Sequence, residues 1–182
     1  MATTRVACAV DTSIQRLKAL DINFVAVDFD RTIIDVHTCG RWNGTAEELA
    51  MHIRPEFQQL LPALLANDIH VAIVTFSPQV KMVKQVLETL MGPDLVARIP
   101  IRGDDKSWTY NGKGSKKGKQ PYMASAVEEL EQNDNIRITR ATSVLIDDDI
   151  RNIEYAVHNG VRAVWLNPKK PHHLFRDLKD LQ

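Results

Sequence analysis

Two short apolar runs that stop on carboxylates constrain this 182-residue chain more than anything else in it. In FVAVDFDRTII the run Phe24 to Val27 ends at Asp28, and Asp30 follows after one residue. In SVLIDDDIRN the run Val144 to Ile146 ends at Asp147, Asp148 and Asp149. Short, continuous, β-branched apolar runs suit strands buried on both faces of a parallel sheet. Open α/β sheets place their chemistry at the carboxyl ends of such strands. Two strands that deliver carboxylates to one edge build an oxygen-rich cluster, and such a cluster calls for a hard cation.

The remaining pattern alternates strands and helices. Thr12 to Leu20 has helical spacing, with Ile14, Leu17 and Leu20 on one face and Asp11, Thr12 or Ser13 as caps. Thr45 precedes a helix over AEELAMHI, and Pro55 opens another through EFQQLLPALLAN that Pro62 is expected to kink or break. Val71 to Val74 reads as a second strand and the segment after Pro78 as a helix that stops at Gly92-Pro93. Ala97 to Arg102 reads as a third strand, residues 103–120 as an irregular basic loop, and Pro121 as the start of a helix. Val144 to Ile146, the helix Arg151 to His158 and the strand Arg162 to Leu166 complete the pattern, with Gly160 ending that helix. Pro168 and Pro171 lead into an amphipathic C-terminal segment. This alternation predicts a mostly parallel sheet covered on both faces, with residues 1–182 as one α/β domain.

Composition narrows the function classes. Lys plus Arg number 23 and Asp plus Glu number 23, so no global charge favours nucleic acid or a membrane surface. The two cysteines, Cys8 and Cys39, form no CxxC pair, which argues against a zinc site or a disulfide framework and for a reducing compartment. No signal peptide or spanning segment is read, and a cytoplasmic protein is expected.

Four elements, in order, carry a family resemblance. Asp28-Phe29-Asp30-Arg31-Thr32 reads DxDxT after a strand, VAIVTFS ends a strand at Thr75, Lys119 precedes the helix QPYMASAVEEL, and VLIDDDIRN ends a strand in paired acids. In this the chain resembles the haloacid dehalogenase-like (HAD) superfamily, most of whose members are Mg²⁺-dependent phosphatases with an aspartate nucleophile. The resemblance runs from about Phe24 to Leu166 and implies a three-layer Rossmann-like fold. It implies Asp28 as nucleophile, Asp30 as general acid and base, and Thr75 and Lys119 as phosphate ligands. It further implies Mg²⁺ held by Asp28, the backbone carbonyl of Asp30 and Asp148, with Asp147 orienting a ligand or water. The chain departs from the family at Arg31, where many members carry glycine.

The residues alone leave simpler readings open. Asp28 and Asp30 also fit a solvated turn, and Thr75 also fits a plain strand end, with Ser77 capping the next helix. Lys113, Lys116 and Lys117 share the loop of Lys119, and a basic loop is most often simply solvated. Asp149 fits a helix cap, Asn152 a local hydrogen bond, Arg31 a side chain lying on the surface, and His172-His173 a solvated tail. Family members usually carry a cap domain after the first motif or after the third strand. Both intervals are short here, so no large cap is expected. The site is then open, bordered by residues 36–44 and 103–118 with their Trp42 and Trp108. The expected partner is a phosphorylated substrate, small or macromolecular, with an oligomer as one way to enclose a small one. A non-enzymatic regulatory or scaffolding member, or a phospho-accepting switch, is the competing function.

Overall fold

A computed structural model describes the backbone of residues 2–182 and the side chains of residues 8–182. The chain runs α1 (Ala2–Ala19), β1 (Phe24–Val27), α2 (Ala46–Ala50), α3 (Pro55–Ala66), β2 (His70–Val74), α4 (Val80–Met91), α5 (Pro93–Val96) and β3 (Ile101–Arg102). It continues through α6 (Gln120–Asp134), β4 (Ser143–Asp147), α7 (Ile150–His158), β5 (Arg162–Trp165) and α8 (Leu174–Lys179). The five strands form one sheet in the order β3-β2-β1-β4-β5, and every pairing is parallel.

Successive residues of a strand point to opposite faces, and two separate cores follow from that. Val25, Val27, Val71, Ile73, Val144 and Ile146 turn to one face and pack with buried residues of α1, α3, α4 and α8. Phe24, Ala26, Ala72, Val74 and Leu145 turn to the other and pack with Met123, Ala126 and Leu130 of α6 and Ala156 of α7. All four residues of β1 and all five of β4 are buried, as central parallel strands require. Because β1 feeds β2 on one side and β4 pairs it on the other, the strand order reverses at β1/β4. A crevice opens at the carboxyl ends of strands at such a switch point.

Several expectations are corrected. Helix α1 begins at Ala2, so Asp11, Thr12 and Ser13 lie inside it and do not cap it. The Thr12 and Ser13 hydroxyls donate one turn back, to the Cys8 carbonyl at 2.8 Å and the Ala9 carbonyl at 2.9 Å. Helix α2 stops at Ala50, short of Ile53. Its start is fixed by a capping box in which Thr45 and Glu48 satisfy each other's backbone N–H. Its end is drawn away by the antiparallel bridge between Ile34 and Ile53. Helix α3 runs unbroken through Pro62, anchored by buried Phe57, Leu60, Leu61, Leu64 and Leu65. The third strand shrinks from Ala97–Arg102 to Ile101–Arg102. The N–H groups of Ala97, Arg98 and Ile99 are spent on the turn of α5, bonded to Pro93, Leu95 and Val96 carbonyls. The C-terminal segment folds as a 3₁₀ turn over Pro171–His173 followed by α8, whose Leu174, Phe175 and Leu178 are buried. Asp149 does cap α7, accepting from the Arg151 N–H, and Gly160 follows that helix at φ +76°.

Neither interval expected to lack a cap holds one. Residues 35–54 contribute only α2 among the described residues, and 103–118 contain no helix or strand. No helix among the described residues is long and apolar enough to cross a membrane.

Candidate active site

The carboxyl edge of the sheet gathers the residues singled out by the sequence. Asp28 follows β1 directly, and its N–H donates to the Ile146 carbonyl at 2.9 Å. Thr75 follows β2, with its N–H on the Arg102 carbonyl at 2.9 Å. Asp147 is the last residue of β4. Lys119 sits at the N-cap position of α6 and is 1% exposed. Its Nζ donates to Asp28 Oδ1 at 2.8 Å, 91 residues away in sequence. Of the five lysines in that loop, Lys119 is the one brought to Asp28. Lys116 instead lines a neighbouring groove, and Lys117 Nζ lies 5.7 Å from the Tyr155 ring centroid.

The turn after β1 explains how two acids one residue apart meet one cavity. Phe29 to Ile33 form a single wide turn whose interior is not helical: Asp30 is extended (φ −66°, ψ 130°) and Arg31 is left-handed (φ 61°, ψ −5°). Phe29, Ile33 and Ile34 bury themselves in the core and fix the turn. The left-handed region costs a non-glycine residue roughly 1–2 kcal/mol, which gives a physical reason for glycine at this position in the resembling family. Here Arg31 occupies it, its N–H bonded to the Val36 carbonyl at 2.9 Å, and its Nε stands 3.5 Å from Asp148 Oδ2.

Ligand oxygens of Asp28, Asp147 and Asp148 all lie within 4.8 Å of one another. Burial pushes the Asp147 carboxyl up to about 7, and the Asp28 charge adds to the rise. Burial also raises Asp28 against the pull of Lys119, and raises Asp148 against the pull of Arg31. A cluster whose acids resist ionisation is one that a cation would relieve.

The two acids of β4 differ in freedom. Asp147 is pinned, accepting from the Asp149 N–H at 2.8 Å and from Asn152 Nδ2 at 3.0 Å. The Asp148 carboxylate is paired instead with Arg31, at 3.5 Å. Asn152 therefore makes the local hydrogen bond expected of it, and Arg31, half exposed, reaches over the site rather than away from it. Thr75 Oγ1 accepts from the Ser77 N–H at 3.1 Å, which leaves its hydroxyl proton free to donate. Ser77 does not cap α4; its hydroxyl accepts from Gln79 N–H in the turn before that helix.

Sequence reasoning missed several neighbours. Thr38 donates to Asp30 at 2.9 Å and His37 Nδ1 lies 3.2 Å from Asp30 Oδ2. Neither spacing nor residue type marked them, beyond their place in the loop after the first motif. Phe76, Ile150, Arg151 and Trp165 line the cavity, whereas Trp42 and Trp108 do not. Those two tryptophans are tied down instead, through Trp42 Nε1 to the Thr45 carbonyl and Trp108 Nε1 to the Gly103 carbonyl. The 36–44 border is present through His37, Cys39 and Gly40, but residues 103–118 border the neighbouring groove and not the cavity itself.

Gly118 sets the position of Lys119. It has φ +55°, and a Cβ there would stand 2.8 Å from both Asn152 Oδ1 and the Tyr155 ring. Gly118→Ala is expected to cost about 1–3 kcal/mol of stability and to disturb Lys119 and Asn152 together. A thermal melt equal to wild type would contradict that packing.

Strand order, switch point and the meeting of these residues at one edge define an open, all-parallel α/β fold of Rossmann type. Among solved structures, the chain is similar to an uncharacterised protein from Corynebacterium glutamicum. The identity is 19%, over 88% of this chain and 97% of that one, with a TM-score of 0.49. It is also similar to the HAD domain of the effector protein Lem4 from Legionella pneumophila, solved as an inactive mutant. There the identity is 16%, over 87% of this chain and 97% of that one, with a TM-score of 0.46. No family model and no curated protein matches the chain.

Proposed function

We propose that this protein is a Mg²⁺-dependent phosphomonoester hydrolase that works through a phosphorylated Asp28. The observation that carries the reading is the buried Asp28 carboxylate, held by Lys119 at 2.8 Å and gathered with Asp147 and Asp148 at the switch point. The donor set is all oxygen and unneutralised apart from Lys119 and Arg31, which fits a small hard cation. Asp28, the Asp30 carbonyl and Asp148 would hold that ion, while the two hydrogen bonds on Asp147 suit it to an orienting role. When bound, Mg²⁺ supplies Lewis-acid neutralisation of charge on the phosphoryl oxygens.

The protein groups divide the remaining work. An Asp28 oxygen attacks phosphorus as the bond from phosphorus to the leaving oxygen breaks, and Asp30 gives its proton to that oxygen. Asp30, now ionised, takes a proton from water as the water oxygen attacks the aspartyl phosphate. Inorganic phosphate leaves and both acids return to their starting states. Lys119 and the Thr75 hydroxyl donate to the transferring oxygens. Thr38 and His37 hold the Asp30 carboxylate at the rim of the cavity.

The test is a panel of phosphomonoesters assayed with Mg²⁺, with Ca²⁺ and with a chelator. Hydrolysis is expected with Mg²⁺ alone. Ca²⁺ accepts more ligands and can draw both Asp28 oxygens into coordination. Full activity in the chelator would remove the metal from the reading.

The raised carboxyls also predict how the metal-free protein responds to pH. An acid whose folded pKa exceeds its unfolded value binds more protons when folded, so stability falls as pH rises between the two values. For Asp147 that window runs from 3.8 to about 7, and Asp28 and Asp148 shift with the same sign. Chelated protein is expected to melt higher near pH 5 than near pH 8, and added Mg²⁺ to raise the melting temperature more at the higher pH. A chelated protein that gains stability across that rise would contradict the electrostatics described here.

A further inference from the structure

We propose, resting on the phosphatase reading, that this site selects phosphomonoesters with an aromatic leaving group, and that Phe76 is the selecting residue. Five large apolar side chains stand exposed among the described residues: Met51, Phe76, Ile150, Val157 and Trp165. Phe76, Ile150 and Trp165, three of those five, line the active-site cavity. Scattered exposed apolar residues are ordinary, but a cluster rimming a polar site marks where an apolar group is held. The cavity has a volume of about 680 Å³, in the range of pockets that take whole small molecules, so the phosphoryl group fills only part of it.

Phe76 lines the cavity beside Thr75 and Lys119. It follows Thr75 directly, and Lys119 Nζ lies 3.8 Å from its ring centroid. The ring is therefore against the same ammonium that meets Asp28, yet the residue remains 50% exposed. It is braced edge-on by Tyr122, with centroids 5.4 Å apart at 83°, and Tyr122 by Trp108 at 4.7 Å and 62°. Two-angle aromatic side chains held this way lose little freedom when a ring packs on them. On the β4 side Trp165 is fixed by its Nε1, which donates to the Asp148 carbonyl at 2.8 Å. Aromatic side chains thus border the phosphoryl position from both the β2 and the β4 sides. The cations of the rim, Arg31 and Arg151, are close to aspartates (Asp148 at 3.5 Å and Asp149 at 2.9 Å), so the uncommitted recognition surface is the apolar one.

Benzyl phosphate and cyclohexylmethyl phosphate test this, since both release a primary alkoxide and differ in the ring. With Mg²⁺, kcat/KM is expected to favour benzyl phosphate about tenfold, the upper range for one aromatic pair. Phe76→Ala should bring the ratio near one, chiefly by raising KM for the benzyl ester, and Phe76→Tyr should keep the preference. Phenylphosphonate should likewise inhibit wild type better than cyclohexylphosphonate, a comparison that needs no variant. Hydrolysis of both esters without preference, or a preference that survives Phe76→Ala, overturns the inference and leaves the phosphatase reading standing. No hydrolysis of either ester or of the wider panel overturns that reading, and the inference falls with it. With the preference present, faster turnover of a phosphotyrosine peptide than of free phosphotyrosine assigns the aryl phosphate to a protein. The reverse assigns it to a small molecule.

Discussion

Asp28→Asn is expected to abolish phosphoester hydrolysis while leaving the fold intact. Asparagine keeps the shape of the side chain that follows β1 and can still meet Lys119. It lacks the nucleophilic oxygen, and the neighbouring Asp147 is pinned by Asp149 and Asn152. Loss of a covalent nucleophile costs several orders of magnitude in rate. The change removes one buried carboxyl whose ionisation the site resists but also takes the counter-charge from Lys119, so the fold should survive on the remaining hydrogen bond from Nζ to the amide oxygen with some loss of stability. Retention of even about a tenth of the wild-type rate, far above what loss of a nucleophile leaves, would rule out covalent catalysis through this residue.

Lys119→Met is expected to be the second most damaging change and to act in two ways. Methionine nearly matches the length but brings no charge, so the contact to the transferring oxygens disappears, a loss of about a hundredfold in rate. It also leaves Asp28 buried without its 2.8 Å partner. Removing one member of a buried ion pair costs about 3–5 kcal/mol when the other must stay charged. Here burial raises Asp28 and Lys119 opposes that rise, so the variant should push the Asp28 carboxyl further up. The pH–rate profile should then shift its acidic limb upward, a change that simple loss of packing would not produce. Lys113→Ala, in the same loop, should leave the rate within about twofold, as surface changes do. A variant series in which Lys113 mattered as much as Lys119 would contradict the geometry.

What could be read from the residues and what could not have distinct physical causes. The buried strands β1, β2 and β4 were legible because a strand covered on both faces needs an uninterrupted apolar run, and each run ends at a residue that lines the cavity: Asp28, Thr75, Asp147. The edge strand β3 was over-read as Ala97 to Arg102, since the apolar Ala97, Ile99 and Ile101 suit a helical turn as well as a strand and only hydrogen bonding decides. Helix α1 was under-read at its start because Thr12 and Ser13 look like caps until their hydroxyls are seen donating one turn back. The same limit hid the rim. Thr38 and His37 meet Asp30, and Phe76 meets Lys119, through loop geometry that leaves no periodic trace. Trp165 shows it from the other side: it closes β5 and its alternation says nothing of the bond to Asp148. Arg31 was noticed as a departure, but its left-handed backbone and its approach to Asp148 come only from the turn itself.

The covalent step is the centre of this account, and one measurement reaches it directly. The protein is mixed with a phosphomonoester and Mg²⁺, quenched within the first turnovers, reduced with borohydride and mapped by peptide mass spectrometry. An acyl phosphate on an aspartate is reduced to homoserine. The account predicts homoserine at position 28, dependent on Mg²⁺ and on substrate, and absent from Asp28→Asn. Turnover with Asp28 unmodified throughout, or with the modification at another carboxylate, would contradict it.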